Sequence, residues 1–376
     1  VRWLNRTVIG AGLTSFLADI GYEFATALLP AFLLALGLDP RQAAPVLGLI
    51  EAAAELLSNA AKLVVGWWSD RVGKRKAVVV FGYALTGSAF ALCAVAVSWP
   101  WVLAAKSLAW LGKGVRGPLR NAIISDSVDP ADRGKAFGFH RAGDTLGAVL
   151  GPVLAAVVFY TLAPADAVET VDGFRSAFWL TLVPGLGAAV TFALLVREQR
   201  FTPKPGLRLG ASLAALPAGY RRFLVGVGLF GLGDFAHTLL ILAATVALAG
   251  GWADATVIGI GLYAWRNLCQ AVAAFPAGQL GDRLGHVRVL VAGYVLGAAT
   301  TAGFAAVVLL APTAVPGWLG LFALAGVYMA VQEAVEPAVV PEFVTDRAVH
   351  GTAFGVLAVV NGLGDVGASL AVGGLY

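Results

Sequence analysis

The sequence predicts an all-α, polytopic membrane protein made of two pseudo-symmetric helix bundles, and three observations carry that prediction. Of the 376 residues, 59% are hydrophobic and 13% charged, with a mean hydropathy of +0.82, far from the composition of a soluble domain. Long apolar runs follow one another with short polar breaks, as successive bilayer spans of about 20 residues do. One break, Gly66-Trp67-Trp68-Ser69-Asp70-Arg71-Val72-Gly73-Lys74-Arg75, returns in the second half as Gly278-Gln279-Leu280-Gly281-Asp282-Arg283-Leu284-Gly285-His286-Val287-Arg288. A repeated break marks an internal duplication, and duplicated bundles usually bind a solute between their halves.

Eleven spans follow in order. The first, 7–36, begins after Arg2 and Arg6 and is too long for a cleavable signal core, so a retained helix is expected. The second, 42–69, runs into the first copy of the loop, and the third, 76–98, starts after its basic cluster. The fourth, 100–126, opens beside Trp99 and Trp101, and the fifth, 134–163, is rich in glycine. The sixth, 174–196, ends at a polar connector bearing Arg197, Arg200, Lys204 and Arg208 with Pro203 and Pro205, which reads as a linker. The seventh is 220–249, and the eighth, 253–280, enters the second loop copy. The ninth, tenth and eleventh are 287–311, 317–343 and 350–376. Several exceed the bilayer thickness, so tilted or extended helices are expected. The chain therefore divides into an N-terminal bundle of six helices (1–197), a cytoplasmic linker (198–219) and a C-terminal bundle of helices 7 to 11 (220–376).

Lys and Arg orient the bundle. They gather at the first terminus, at Arg71 to Lys76, Arg133 to Lys135, the connector and Arg283 to Arg288, whereas Ala163 to Gly173 carries Asp166, Glu169 and Asp172. The basic side is expected to face the cytoplasm of a plasma (inner) membrane, with the N-terminus inside. Eleven spans then end outside, and two equal halves predict a twelfth span beyond Tyr376. This topology, rather than nucleic-acid binding, accounts for the net charge of +4. Cys93 and Cys269 lie within apolar runs and support neither a disulfide framework nor a zinc site.

The loop resembles the Gly-x-x-x-Asp-Arg-x-Gly-Arg-Arg signature of the major facilitator superfamily, found between helices 2 and 3 with a weaker copy between helices 8 and 9. In the fifth span, Gly138, Gly147, Gly151-Pro152 and Ala155-Ala156 are similar to the antiporter motif of proton-coupled drug-efflux members, with Ala in place of its last two glycines. A further echo supports the duplication: Gly134-Lys135-Ala136-Phe137-Gly138 matches Gly351-Thr352-Ala353-Phe354-Gly355. The resemblance covers essentially the whole chain. It implies the major facilitator fold and a secondary active transporter, usually a monomer, that uses alternating access to move a small-molecule or ion substrate through the lipid bilayer. A proton gradient is the implied energy source, with no cofactor, and efflux of a small organic compound the implied task.

The loop has a physical reading of its own. Asp70 and Asp282 fall at helix ends, where a carboxylate accepts hydrogen bonds from the exposed amides that begin a neighbouring helix. Gly66, Asp70, Arg71, Gly73 and Arg75, with Asp282 and Arg283, are therefore candidates for a conformational latch; a basic loop that only sets topology is the alternative. Gly138, Gly147, Gly151 and Pro152 remove bulk and one backbone hydrogen bond, which permits close helix contact and a bend, as packing or as coupling.

Many ionisable groups fall inside spans, where an uncompensated charge costs at least about 3 kcal/mol. Asp19 and Glu23 share a face of the first span, as Glu51, Glu55 and Asn59 do in the second. Lys106, Lys113, Arg116 and Arg120 follow in the fourth, Arg141 and Asp144 in the fifth, Asp234 and His237 in the seventh, and Arg266 in the eighth. Glu333 and Glu336 lie in the tenth, Asn361 and Asp365 in the eleventh. These are candidates for proton coupling and the substrate cavity, with Asp19 and Glu23 foremost. For Lys113, Arg116 and Arg120, snorkelling or a salt bridge to Asp126 is the competing reading. Tyr22, Phe24, Trp110, Phe235, Tyr263, Trp265 and Tyr328 are mid-span rings able to flank a ligand. Trp3, Trp99, Trp101 and Trp318 read as interfacial belt residues.

No nucleophile elbow, paired-histidine motif or phosphate loop is present, so an enzyme is not expected. The cationic fourth span leaves an anionic metabolite as an alternative substrate. A divalent metal held by Asp19, Glu23, Asp234 and His237 is another, although no metal site is assigned.

Overall fold

The computed structural model describes residues 3–162, 171–199, 201–203, 206, 208–232, 244, 247–248 and 252–373. Its helices are α1 (Arg6–Ala35), α2 (Pro40–Val72), α3 (Arg75–Ala91), α4 (Trp99–Asp126), α5 (Arg133–Leu162), α6 (Val171–Leu180), α7 (Leu182–Leu195), α8 (Leu209–Ala214), α9 (Ala218–Gly231), α10 (Trp252–Leu284), α11 (His286–Leu310), α12 (Val315–Phe343) and α13 (His350–Gly373). Four described stretches, Arg75–Val95, Val171–Leu195, His286–Leu310 and Val315–Phe343, are long and apolar enough to cross a bilayer by length and composition. The helices α1, α2 and α4, with 30, 33 and 28 residues, are long enough as well, but their apolar faces are interrupted by ionisable residues.

The sixth span is two helices rather than one. Pro184 cannot donate to the carbonyl of Leu180, and the chain breaks at Thr181, whose hydroxyl donates to the Phe178 carbonyl at 2.7 Å. Beyond the break Gly185 reaches α3, where a Cβ on Gly87 would stand 2.6 Å from the Gly185 Cα. Small residues let helix backbones touch where lipid supplies no hydrophobic drive between helices. The same device joins α3 to α4 at Gly82 and Gly112 and α1 to α5 at Gly12 and Gly143.

Aromatic rings fill the remaining space. Phe32 packs against Phe174 and Phe178 in the first half, and Phe304 against Trp318 and Phe322 in the second. Trp318 is thus not a belt residue: it is fully buried and donates from Nε1 to the Pro312 carbonyl at 2.8 Å. Trp3 also departs from the belt, because its ring packs on Phe139 of α5 and Phe275 of α10.

The start of the linker is docked on the first bundle. The Glu198 carboxylate accepts from the backbone N–H groups of Arg75 and Lys76 at 2.9 and 3.0 Å, satisfying donors left open at the beginning of α3. Phe201 lies under the Arg75 guanidinium at 3.9 Å.

Candidate substrate cavity and its gate

Gly73 and Gly285 both have positive φ, +70° and +96°, a backbone open to glycine and strained for most other residues. Each turn folds the chain back so that a cation after it meets the aspartate before it. Arg75 donates to Asp70 at 2.9 Å, and His286 Nε2 lies 3.0 Å from Asp282.

Each aspartate also caps a helix of the opposite half. Asp70 on α2 accepts from the Gly351 and Thr352 amides at 3.0 and 2.7 Å and from the Thr352 hydroxyl at 2.8 Å, at the start of α13. Asp282 on α10 accepts from the Gly134 and Lys135 amides at 2.7 and 2.9 Å, at the start of α5. A short 3₁₀ turn precedes both receiving helices, and glycines let the helices close: a Cβ on Gly66 would collide with the Gly351 carbonyl, and one on Gly134 with that of Gly278. The halves are thus pinned together at the basic end by two related contacts. Two latch candidates are elsewhere. Arg71 lies over Trp67 of its own helix at 4.9 Å, and Arg283 is exposed. Each directly follows its aspartate, so its side chain leaves the helix about 100° round from the direction that Asp70 or Asp282 takes.

Arg75 ties further groups to this end. It donates to Asp126 at 3.0 Å and to the Arg347 carbonyl at 2.7 Å, while His350 Nδ1 sits 3.0 Å from the same Asp126. Asp126 is thereby occupied, and Lys113, Arg116 and Arg120 point instead into a central cavity.

That cavity has a volume of about 300 Å³ and lies between α1, α2, α4 and α5 of one half and α10 of the other. Six cations face it, Lys62, Lys113, Arg116, Arg120, Arg141 and Arg266, against three acids, Asp19, Glu23 and Asp144. Lys113 lies over Tyr22 at 4.4 Å and Trp110 at 5.0 Å, Arg116 over Tyr83 at 4.2 Å, and Arg266 over Tyr263 at 5.2 Å. These ring faces support cations without neutralising them. Arg120 donates to Ser15 at 3.2 Å. Arg116 is 2% exposed, and its Nε and Nη1 have no hydrogen-bond partner among the described residues. An orphaned guanidinium donor in a buried polar wall is costly, and a carboxylate or similar oxyanion fits its fork.

The acids of α1 are seated by the glycines of α5. A Cβ on Gly147 would come within 2.9 Å of the Asp19 Cβ, and one on Gly151 within 2.8 Å of the Glu23 Cβ. Asp19 of α1 and Asp144 of α5 both line this cavity. Gly138 instead faces α10, 2.5 Å from the Ala274 carbonyl by the same measure. Pro152 leaves the carbonyl of Ala148, a cavity residue, without its helical donor. Gly147→Ala is expected to lower stability by about 1–3 kcal/mol through overpacking and to displace Asp19. Gly226→Ala, which meets nothing within 4 Å, should do neither; thermal unfolding of the two variants compares them.

Below the cavity, toward the basic end, a second chamber of about 250 Å³ is lined by His140, Gln332, Glu333, Glu336 and Asn361, and it shares Arg120 and Arg141 with the first. Arg141 separates the two by pairing across the halves with Glu333 and within α5 with Asp144, and Gln270 also binds Glu333. Glu336 is held in the second half by the Tyr294 hydroxyl at 2.7 Å and by Asn361.

Three expected cavity residues are outside it. Glu51 pairs with Lys106 and Glu55 accepts from Trp110 Nε1 at 3.0 Å, two contacts between α2 and α4, while Lys62 of α2 itself meets Glu55 at 3.4 Å. The helical spacing of the two acids fixed a shared face, which turns toward α4 and stays partly open, with Glu51 47% and Glu55 42% exposed at the side chain. Asp234, His237 and Phe235 lie outside the described residues, among which no three metal-ligating side chains converge. Of the remaining rings, Tyr22 and Tyr263 line the cavity, Tyr328 is buried against Phe230, and Trp265 is exposed. Sequence reasoning missed Gln270, Asn267 and His140; the interval of three between Asn267 and Gln270, beside Arg266, was a signal that a search confined to charged side chains passes over.

The sequence profile described as Major Facilitator Superfamily matches residues 11–256. The chain belongs to that superfamily. An uncharacterised MFS-type transporter of Methanocaldococcus jannaschii is 32% identical to this facilitator over all of the chain and 89% of its own length. Multidrug resistance protein MdtG of Enterobacter lignolyticus is 26% identical over 79% of the chain and 69% of its own length. Among solved structures, the human organic anion transporter MFSD10 (TETRAN) superposes with a TM-score of 0.77 at 19% identity, over 99% of this chain and 93% of that one. This facilitator is therefore an integral, multi-pass membrane transporter, not an enzyme.

Proposed function

We propose that this facilitator carries a small organic anion through the plasma membrane by alternating access, with movement linked to a proton on Asp19 and Asp144. One observation carries the reading: six cations face a cavity holding three acids, and Arg116 keeps two buried donors unpartnered. The basic loops support a cytoplasmic latched end; on that reading this conformation is closed inward and its cavity serves the outer side. Asp70 and Asp282 act as latches on that closure, and the Arg141 pair with Glu333 forms the cavity floor. The likeness to a protein named as an organic anion transporter agrees with the substrate class.

A second reading, export of a small organic compound in exchange for protons, is favoured by the Gly138, Gly147 and Gly151 spacing and by the likeness to MdtG. Proteoliposomes separate the two. Flux of labelled benzoate, succinate or citrate that responds to an imposed pH gradient is the expected result. Transport restricted to cationic dyes such as ethidium, with no competition from any anion, would overturn the anion assignment.

A further inference from the structure

The two latches differ in the cation that completes them. Arg75 carries its charge at every physiological pH, so the hold on Asp70 does not titrate. His286 serves Asp282 with a ring that gains and loses a proton. Its two nitrogens both meet carboxylate oxygens: Nε2 lies 3.0 Å from Asp282 of α10, and Nδ1 lies 2.5 Å from Glu342 of α12. An ionised carboxylate only accepts, so both contacts are hydrogen bonds only when each nitrogen carries a hydrogen and the ring is an imidazolium. A neutral ring turns a lone pair on one of the two oxygens.

The charged surroundings of the ring come from several elements. Across the interface from Asp282 and Glu342, α5 brings Lys135, 3.9 Å from Asp282, and the turn before α5 brings Asp132, which pairs with Lys135 at 2.5 Å. Arg283 and Arg288 are exposed. His286 and the Asp282 side chain are buried, and closure holds that carboxylate against the Gly134 and Lys135 amides. A carboxylate shut away from water is costly unless it is paired, and His286 Nε2 is nearer to it than Lys135 Nζ. Parting α5 from α10 lets water reach Asp282 and weakens its attraction for the ring proton. The latched state therefore binds that proton more tightly than the opened state, and by linkage the proton favours the latch.

Resting on the reading of Asp282 as a latch, we propose that His286 is a pH sensor built into the second latch: alkalinity at the basic end frees α5 from α10, while the hold of Arg75 on Asp70 stays as it is. His286 lines neither chamber, so the proton acts on the balance of conformations and not on the cargo. A further histidine, His350, lies at the first latch, 3.0 Å from Asp126 and 2.8 Å from the Val344 carbonyl. There the carboxylate that spans the halves is Asp70, and its cation is Arg75.

Spin labels at the exposed positions Ala131, before α5, and Leu284, at the end of α10, with both native cysteines replaced, measure the gap in the full chain in lipid nanodiscs. Between about pH 6 and pH 10 the ratio of long to short distances should climb by up to about tenfold for each unit of rising pH. His286→Arg should keep the short distance throughout, and His286→Gln should give the long one even at the acid end. Glu342→Gln removes one of the two acceptors, should bring the climb to lower pH, and carries the test if neither change at the ring folds. A distance in the parent that ignores pH, or that lengthens as pH falls, overturns the sensor. So does a response that survives His286→Arg, which would place it at His350. Gly278→Val separates the two readings: a longer distance in that variant beside a parent unmoved by pH leaves the latch without the sensor, and no change in either removes the latch and this proposal with it.

Discussion

Gly66→Val is expected to open the latched, basic end of this transporter. The new Cβ would meet the Gly351 carbonyl, a backbone atom that cannot turn aside, so α2 and α13 have to separate. Separation strips Asp70 of the Gly351 and Thr352 amides and the Thr352 hydroxyl. Hydrogen bonds to a charged group contribute about 1.5–3 kcal/mol each, so losing three outweighs the few kcal/mol that commonly separate two carrier states. Spin labels at the exposed positions Lys74 and Thr345, with both native cysteines replaced, should report a longer distance in the variant. Gly278→Val should act alike through α5 and α10. An unaltered label distance together with parental transport would refute the latch.

Arg116→Gln carries the second large effect, loss of anion transport by about 30- to 1,000-fold, the range for removing a buried charged partner worth 2–4 kcal/mol. Among the described residues no carboxylate forms an ion pair with Arg116, and its side chain rests on the Tyr83 ring, so the variant should stay folded. Arg116→Lys should recover only part of the activity, because a lysine ammonium lacks the planar fork. The contrasting change, Arg75→Gln, removes contacts to Asp70 and Asp126 and acts on the latch rather than on the cavity. Initial rates across anion concentrations measure both. Undiminished uptake by Arg116→Gln would show that the anion binds elsewhere.

The latch was largely legible in the sequence, because an aspartate at a helix end followed by a glycine turn has few arrangements open to it. Which cation would meet that aspartate was not legible. Arg71 adjoins Asp70 in the chain, yet the positive φ at Gly73 brings Arg75 back to it. The acids of α1 could be placed on one face by spacing, and the glycines of α5 were visible as a separate motif. That the glycines seat those acids depends on the register of two helices distant in sequence. Glu51 and Glu55 show the opposite limit: periodicity fixes what shares a face, and only the fold shows that Lys106 and Trp110 of α4 are the partners that meet it. Pro184 signalled the break of the sixth span locally, but the long apolar run masked it.

Two bundles that rock need slack between them, and the grip of Glu198 and Phe201 on the start of α3 sets where that slack begins. The leash to the second bundle starts near Pro203, which itself touches Gly73, rather than at the end of α7. Any swing of one bundle against the other therefore pulls directly on the turn that holds Arg75 to Asp70, and the tether acts as a lever on the bolt it hangs from.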